Sequence, residues 1–304
     1  QVLNHSQKLY KKVPFSDGPD TDNAAFYKKK YIKLISTQQL YTDLRDISEY
    51  HFNVKRGSGK RTKFRLYSLH LKAGTSSADK QQRADEAQFL RAYLDGFPSN
   101  SLFIVLGDFN FYTSSEPGFQ TLISNQGDTD GMALDPLDEL GSWNNKKKYA
   151  SLHTQSTHKK QKGGFIGGGL DDRFDMFLIS SGFENSKKLA YVPDSYIAYG
   201  NDGKHFNKNI NKPNNTAVSK ELADALYNAS DHLPVVIELL PPDDPDAITV
   251  YITETGTKYH RGSCHYLSKS KIAISLAEAV KQGYTPCSVC KPPTLTLTVY
   301  KYNP

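Results

Sequence analysis

Cysteine is scarce in this chain of 304 residues: there are three, Cys264, Cys287 and Cys290, all close to the C-terminal end. An odd, clustered set excludes a disulfide framework and points to something local. Long apolar runs are missing as well. None approaches the roughly 18–20 residues that a membrane-spanning helix needs, so such a helix is excluded. Charge of one sign is also sparse over most of the chain. The net charge is +6, and from Ala247 onward seven Lys and Arg face two Glu, so +5 of it sits in the tail. A basic tail suits a polyanion such as nucleic acid, and it equally suits a solvated lysine-rich face. The chain opens on Gln1 with neither an initiator Met nor a signal sequence, which leaves processing or truncation at the front open.

What is present argues for a folded protein. A hydrophobic fraction of 38% with 12% aromatics speaks against disorder, and the length allows one large domain or a domain plus a module. The stretch "LLPPDDPD" at 239–246 is a proline-rich acidic break and marks a boundary. It divides the chain into a body over 1–240, a linker over 241–248 and a small module over 249–304.

In the body, runs rich in β-branched and aromatic residues recur at 25–35, 47–54, 64–71, 102–106, 174–179 and 235–239 and predict strands. Residues 78–94 place Ala84, Ala87, Leu90, Tyr93 and Leu94 on one helical face, and 216–229 predicts a second helix. Strands mixed with helices in this way indicate an α/β layered domain. The stretch "NNKKKYASLHTQSTHKKQKGGFIGGG" at 144–169 has no clean period. It reads either as a flexible basic loop able to lie along a phosphate backbone or as a disordered surface loop.

Four of the apolar runs meet their loops through acids or histidines. "LGDFN" presents Asp108 and Asn110 after the run 101–105, "SLHLK" presents His70, "RFD" puts Arg173 and Asp175 at the entry to the run 174–179, and "SDHLPV" puts Asp231 and His232 before the run 235–239. Singly, each reads as turn punctuation or an edge charge. In this order they resemble the endonuclease/exonuclease/phosphatase superfamily, the deoxyribonuclease I-like metal-dependent phosphodiesterases, over residues 25–239. The resemblance implies an α/β fold, a two-sheet, four-layer sandwich whose strand ends build one active site. It implies that Asp108 orients the attacking water, that Asn110 contacts the phosphate and that His232 is the acid/base group held by Asp175. It further implies that His70 donates to a non-bridging oxygen, that Asp231 with Asp108 holds Mg²⁺ (or Mn²⁺ or Ca²⁺), and that Arg173 binds substrate. Carboxylates around a phosphodiester make chemical sense only with a hard cation to offset their charge. Members of the family also carry an upstream strand ending in Asn and a second ending in a metal-binding Glu. The first 24 residues contain no Glu, Asn4 has no strand before it, and Glu49 lies mid-run in "DISEYHF". The expectation is a chain lacking its natural front end, or else a degenerate site retained as a binding module.

In the tail, His260 and Cys264 are four apart and Cys287 and Cys290 three apart, separated by a helix-sized insert with Ser275 as its cap and Gly283 as its stop. Two short pairs of this kind suit tetrahedral Zn²⁺ in a Cys3His site. The competing readings are a Cys287–Cys290 redox pair, free thiols, or His265 in place of His260. The pattern resembles the small zinc-binding domain of Ada-type DNA repair proteins, which implies a structural zinc, and the +5 charge of the tail suggests a DNA-tethering role.

The combined expectation is a metal-dependent phosphodiesterase acting on nucleic acid, DNA favoured, of the DNase-like endonuclease type. A phospholipid or inositol-phosphate phosphodiesterase is the alternative on the same fold. An exposed aromatic hairpin would favour lipid, and the sequence offers only Phe165–Ile166 as a small candidate. Family habit tilts the expected location toward export from a bacterium, secreted or in the cell envelope.

Overall fold

The computed structural model describes residues 8–55, 60–125, 127, 131–183, 186, 188–240, 248–262 and 264–294. Asn4 and nearly all of the expected linker lie outside these residues. In chain order the strands of the body begin with β1 (Tyr10–Lys12), β2 (Phe26–Lys28), β3 (Ile32–Leu40), β4 (Ile47–Lys55) and β5 (Arg61–His70), followed by helix α1 (Ser77–Asp95). Then come β6 (Phe103–Asp108), α2 (Pro117–Ile123), β7 (Ala133–Leu134), β8 (Asp175–Ser180), β9 (Ala190–Tyr191), β10 (Ile197–Ala198), α3 (Lys220–Ala229), β11 (Val235–Val236) and β12 (Leu239–Leu240). The module contributes β13 (Thr249–Ile252), β14 (Lys258–Tyr259), β15 (Ile272–Ser275), α4 (Leu276–Lys281) and β16 (Thr285–Pro286).

Helix α1 starts where its sequence caps it. The Ser76 hydroxyl accepts from the Asp79 amide while the Asp79 carboxylate accepts from the Ser76 amide, a reciprocal capping box. Helix α3 is shorter than expected because Ser219, whose hydroxyl accepts from the Leu222 amide, sets its start. Two expected strands are each split. The run 25–35 turns between β2 and β3, and the run 235–239 divides into β11, paired with β10, and β12, paired with β9.

One six-stranded sheet in the order β3-β4-β5-β6-β8-β7 forms the centre. β5 and β6 are parallel, joined by α1, and the other pairs are antiparallel. Period-two alternation divides its apolar residues between two faces. Tyr67, Leu69, Phe103, Val105, Met176 and Leu178 pack against Leu90 and Leu94 of α1 and Phe119 and Leu122 of α2. On the opposite face Phe52, Phe64, Ile104 and Ile179 pack with Val13 and Leu189, and with the half-buried Tyr27, Tyr191 and Leu239. The α/β class stands, with the second sheet layer built, among the described residues, from two-stranded ribbons.

A buried ion pair braces the loops at the C-terminal ends of β5 and β6. Arg83 of α1 donates to Glu116 at 2.6 Å and 3.1 Å, and its remaining donors bind the carbonyls of Lys72 and Gly74, just past His70. The other Glu116 oxygen accepts from the Tyr112 amide, just past Asn110. Both side chains are buried, so Arg83→Met, which leaves Glu116 as an unpaired buried charge, is expected to destabilise the body by about 3–5 kcal/mol. Denaturant unfolding of the two proteins measures this directly.

Module and body meet at Arg261. Its Nε donates to the carbonyls of Cys290 and Lys291 at 2.9 Å, its Nη2 to the Pro193 carbonyl at 2.9 Å, and its Nη1 lies 3.2 Å from Glu238. Leu240 at the end of β12 packs on the module core of Val250, Tyr259 and Leu276.

Candidate active site and candidate metal centre

Register places three of the expected groups in one row across adjacent strands. His70 pairs with Asp108 across β5 and β6, and Asp108 pairs with Asp175 across β6 and β8. The strand alternation that buries Tyr67, Leu69 and Met176 on the helix side turns these three toward the other side of the sheet end. Gly107 makes the approach possible. It sits at φ +135°, and a Cβ there would run into the Leu69 carbonyl oxygen. Asn110, at φ +53°, folds back so that its amide N–H donates to Asp108 Oδ1 (3.0 Å) and its side-chain Nδ2 to the Leu71 carbonyl (3.1 Å). "LGDFN" is therefore a turn and a site at once, with the intervening Phe109 buried as its anchor.

His232 completes the row from the other side. Its Nδ1 is 2.7 Å from Asp175 Oδ2, and its Nε2 is 3.9 Å from Asp108 Oδ2. That same Asp108 oxygen is 3.4 Å from His70 Nε2, so one carboxylate lies between two imidazoles. The side chains of His70, Asp108, His232 and Asp175 are 34%, 16%, 23% and 17% exposed, so a ligand can reach them.

The charges follow from the surroundings. Burial works to lower the His232 value, but the Asp175 hydrogen bond and the Asp175, Asp108 and Asp231 charges outweigh it and raise it to about 9. His70 is pushed down to about 4, first by burial and then by Arg45 and His232. At neutral pH one histidine is thus an imidazolium and the other is neutral. Burial, then the Asp175 charge, raises Asp108, and Asp172 beside it is raised to about 7 mainly by burial. Carboxylates that burial and one another hold above their usual range favour a cation, and Mg²⁺ uses as few as one or two carboxylates with waters for the rest. Asp108 is the acid placed to hold one.

Arg173 is placed against its assigned role, and Asp231 and Glu49 each hold a structural contact. Arg173 is not a substrate group. Its guanidinium is 1% exposed, forms a two-pronged pair with Asp135 at 2.7 and 2.8 Å, and lies near the Trp143 and Tyr196 rings. The Asp231 carboxylate accepts the Ile166 amide at 2.9 Å, pinning the 155–170 loop beside His232. Glu49 faces the helix side, where Tyr67 and Tyr93 each donate to it at 3.0 Å.

The loop itself is not flexible backbone with lysines attached. His153, Thr154, Ser156, Thr157 and His158 are buried, and Thr154 accepts from the amides of Asp175 and Leu233, tying β8 to the His232 segment. Lys146, Lys147, Lys148, Lys159, Lys160 and Lys162 are exposed on either side of this buried core.

Other residues reach the row without a sequence signal near it. Gln155 Nε2 is 2.7 Å from His232 Nε2, where it donates to the neutral ring, and the imidazolium is instead met by the Gln155 amide turned to present its oxygen. Thr21 Oγ1 is 3.2 Å from His70 Nδ1. Arg45 donates to the Leu71 carbonyl at 3.2 Å, the same oxygen that Asn110 binds, and pairs with Asp20 at 2.8 Å.

In the module, His260, Cys264, Cys287 and Cys290 bring one ligand atom each to within 4.8 Å of one another. Cys290 Sγ and His260 Nδ1 are 3.9 Å apart, close to the edge of about 3.6 Å expected of a tetrahedral zinc site. The Arg261 amide donates to Cys290 Sγ at 3.3 Å, the kind of outer hydrogen bond that orients a thiolate ligand. The set fits Zn²⁺, and it includes His260 rather than His265. Ser275 caps α4 through the Glu278 amide, and Gly283 at φ +84° follows its end, as its sequence predicts.

No family model and no curated protein matches the chain. Among solved structures it is similar to D. rerio TDP2 complexed with a single-strand DNA product, at 14% identity and a TM-score of 0.47, covering 76% of this chain and 77% of that one. It is also similar to an endonuclease/exonuclease/phosphatase family protein from Bacteroides thetaiotaomicron, at 15% identity and a TM-score of 0.43 over 77% and 74% of the two chains. A third likeness is to the human Nocturnin catalytic domain with bound sulfate anion, at 17% identity and a TM-score of 0.40 over 76% and 72%. These are likenesses of overall fold at low identity.

Proposed function

We propose that the protein is a metal-dependent phosphodiesterase that hydrolyses nucleic acid, of the DNase-like endonuclease type. The observation that carries this reading is the row His70–Asp108–Asp175 on three neighbouring strands, closed by His232 on Asp175. Hydrolysis of a phosphodiester needs an oriented water, positive charge on the phosphate oxygens and a proton for the leaving oxygen. Asp108, between two imidazoles, orients the water. Neutral His70 donates from Nε2 to a non-bridging oxygen, with Thr21 fixing its other nitrogen. The His232 imidazolium, displacing Gln155 from its Nε2, faces the phosphate and supplies the proton, and Asp175 holds its ring and charge. Arg45 adds a fixed cation beside Asn110. A divalent cation at Asp108, when bound, adds charge stabilisation at the phosphate. Lysines flanking the 153–158 core and the basic module supply phosphate contacts that weaken with salt.

Nicking of supercoiled plasmid by the purified protein tests the reading. Nicking that requires Mg²⁺, is abolished by EDTA and is lost in Asp175→Asn supports it. A folded protein that nicks nothing with Mg²⁺, Mn²⁺ or Ca²⁺ overturns it, and release of headgroups from phospholipid vesicles would move the assignment to the lipid alternative.

A further inference from the structure

The outer face of the β1–β2 ribbon takes no part in the site described above. Its strands pair Tyr10 with Lys28, Lys11 with Tyr27 and Lys12 with Phe26. Directly opposed residues, and residues two apart, share a face of a β-ribbon. Tyr10, Lys12, Phe26 and Lys28 therefore lie together. The other face belongs to the core, where Val13 is buried and Ala25 and Tyr27 pack with Phe52 and Phe64. The outward face is a checkerboard in which each aromatic ring has a lysine across the ribbon and a lysine along it.

The details match that pattern. Lys28 Nζ lies 5.6 Å from the centre of the Tyr10 ring and Lys12 Nζ 5.1 Å from that of Phe15. Phe15 and Phe26 are each 52% exposed. Lys8, Lys11, Lys12, Lys28, Lys29 and Lys30 are all exposed, and the stretches 8–15 and 26–31 hold no acidic residue. Single exposed rings are ordinary on a protein surface. Rings interleaved with ammonium groups that form no ion pair among the described residues are complementary to a ligand that alternates flat apolar groups with negative charge. A single nucleic-acid strand has that chemistry, its bases stacking on rings and its phosphates meeting the lysines.

The ribbon also leads to the site. One end joins β3, whose first residue pairs with Val54 of β4, itself opposite Thr62 at the start of β5. From the other end the connection 13–25 carries Thr21 to His70, the last residue of β5. Platform and connection together run the length of β5, about 33 Å for its ten residues. A lipid-inserting hairpin would need an apolar tip, and this tip, "SDGPDTD" at 16–22, has no apolar side chain but Pro19 to insert.

We propose that the outer face of the β1–β2 ribbon is a docking platform for single-stranded nucleic acid, leading the strand to His70. The second half of this statement rests on the nucleic-acid reading of the active site, and the first stands on the ribbon alone. The test compares the full chain with Tyr10→Ala/Phe26→Ala and Lys12→Ala/Lys28→Ala. Binding is followed by fluorescence anisotropy of a labelled oligothymidylate of about 20 nucleotides, of a duplex of equal length and of phosphatidylserine vesicles, with thermal melting as the check on folding. The aromatic pair is expected to weaken oligothymidylate binding by about tenfold or more. The lysine pair is expected to lower the slope of log affinity against log salt by about 1.4, the value for two single-strand phosphate contacts. Unchanged oligothymidylate binding in both folded variants overturns the platform, as does a loss confined to the vesicles, which would make the ribbon a lipid contact. If the wild-type protein hydrolyses no nucleic acid yet binds the oligothymidylate through these four side chains, the platform stands and the active-site reading falls.

Discussion

His232→Ala is expected to slow phosphodiester hydrolysis by about 10²–10⁴-fold, the range associated with losing a positioned acid or base, while the protein still folds. The ring is 23% exposed and its contacts are to Asp175, Asp108 and Gln155 rather than to core side chains. Its removal takes the one imidazolium from among Asp108, Asp175 and Asp231, so phosphate meets unrelieved negative charge. Hydrolysis should fall at the alkaline side as His232, held at about 9, loses its proton, and at the acid side as Asp108, raised by burial to about 7, gains one, ahead of His70 at about 4. Stability carries the same signature. A value raised from 6.5 to about 9 means that the folded state holds the proton more tightly than the unfolded chain. The contribution is full below 6.5 and is lost as pH rises through about 9. His70 has the opposite sign, contributing above 6.5 and losing that as pH falls through about 4. Melting temperatures of wild type and His232→Ala across this range should converge at alkaline pH. A variant that fails to fold at any pH would assign His232 to structure instead.

Cys287→Ser, or exhaustive chelation, is expected to unfold the module while the body remains folded. The module core consists of a few side chains around Val250, Tyr259, Leu276 and Ala279, too little to hold some 45 residues by itself. Apparent binding free energies of structural zinc in small domains are about 10–16 kcal/mol, and where no site exists before folding that energy is folding energy. The two body clusters contain no module residue, so the metal reaches the body core only through its β9–β12 edge, which Arg261 and Leu240 join to the module. Zinc content by elemental analysis and protease sensitivity of the module before and after chelation measure this. Unchanged protection after complete removal of the metal would place the cluster outside folding.

The strand ends were the legible part of the site. His70, Asp108, Asp175 and His232 each sit where an apolar run meets polar residues, and that boundary is local information. Which row they share is register, which also follows from alternation once the strand order is known. Arg45, Thr21 and Gln155 could not be read because their partners are dozens of residues away. Arg173 was misread for the same reason, since a charge beside Asp175 suggests solvent until the fold brings Asp135 to it. The ribbon shows another limit. β1 in "KLYKK" is not legible as a strand and "FYKKKY" falls inside the single run 25–35, because the turn that separates β2 from β3 contains neither Gly nor Pro, and the pairing that turns their rings outward spans a 13-residue connection. The Cys3His set was legible because its ligands come as short local pairs.

The Arg261 clasp joins the proposed metal site to the body. Arg261 follows a zinc-site histidine, binds the carbonyls of Cys290 and Lys291, and through Pro193 and Glu238 holds the segments beside β9 and β12. In hydrogen exchange the metal site and the β9–β12 ribbon should then open as one unit rather than as two. β12 begins seven residues beyond His232, so loss of the metal would loosen the chain close to the proposed general acid.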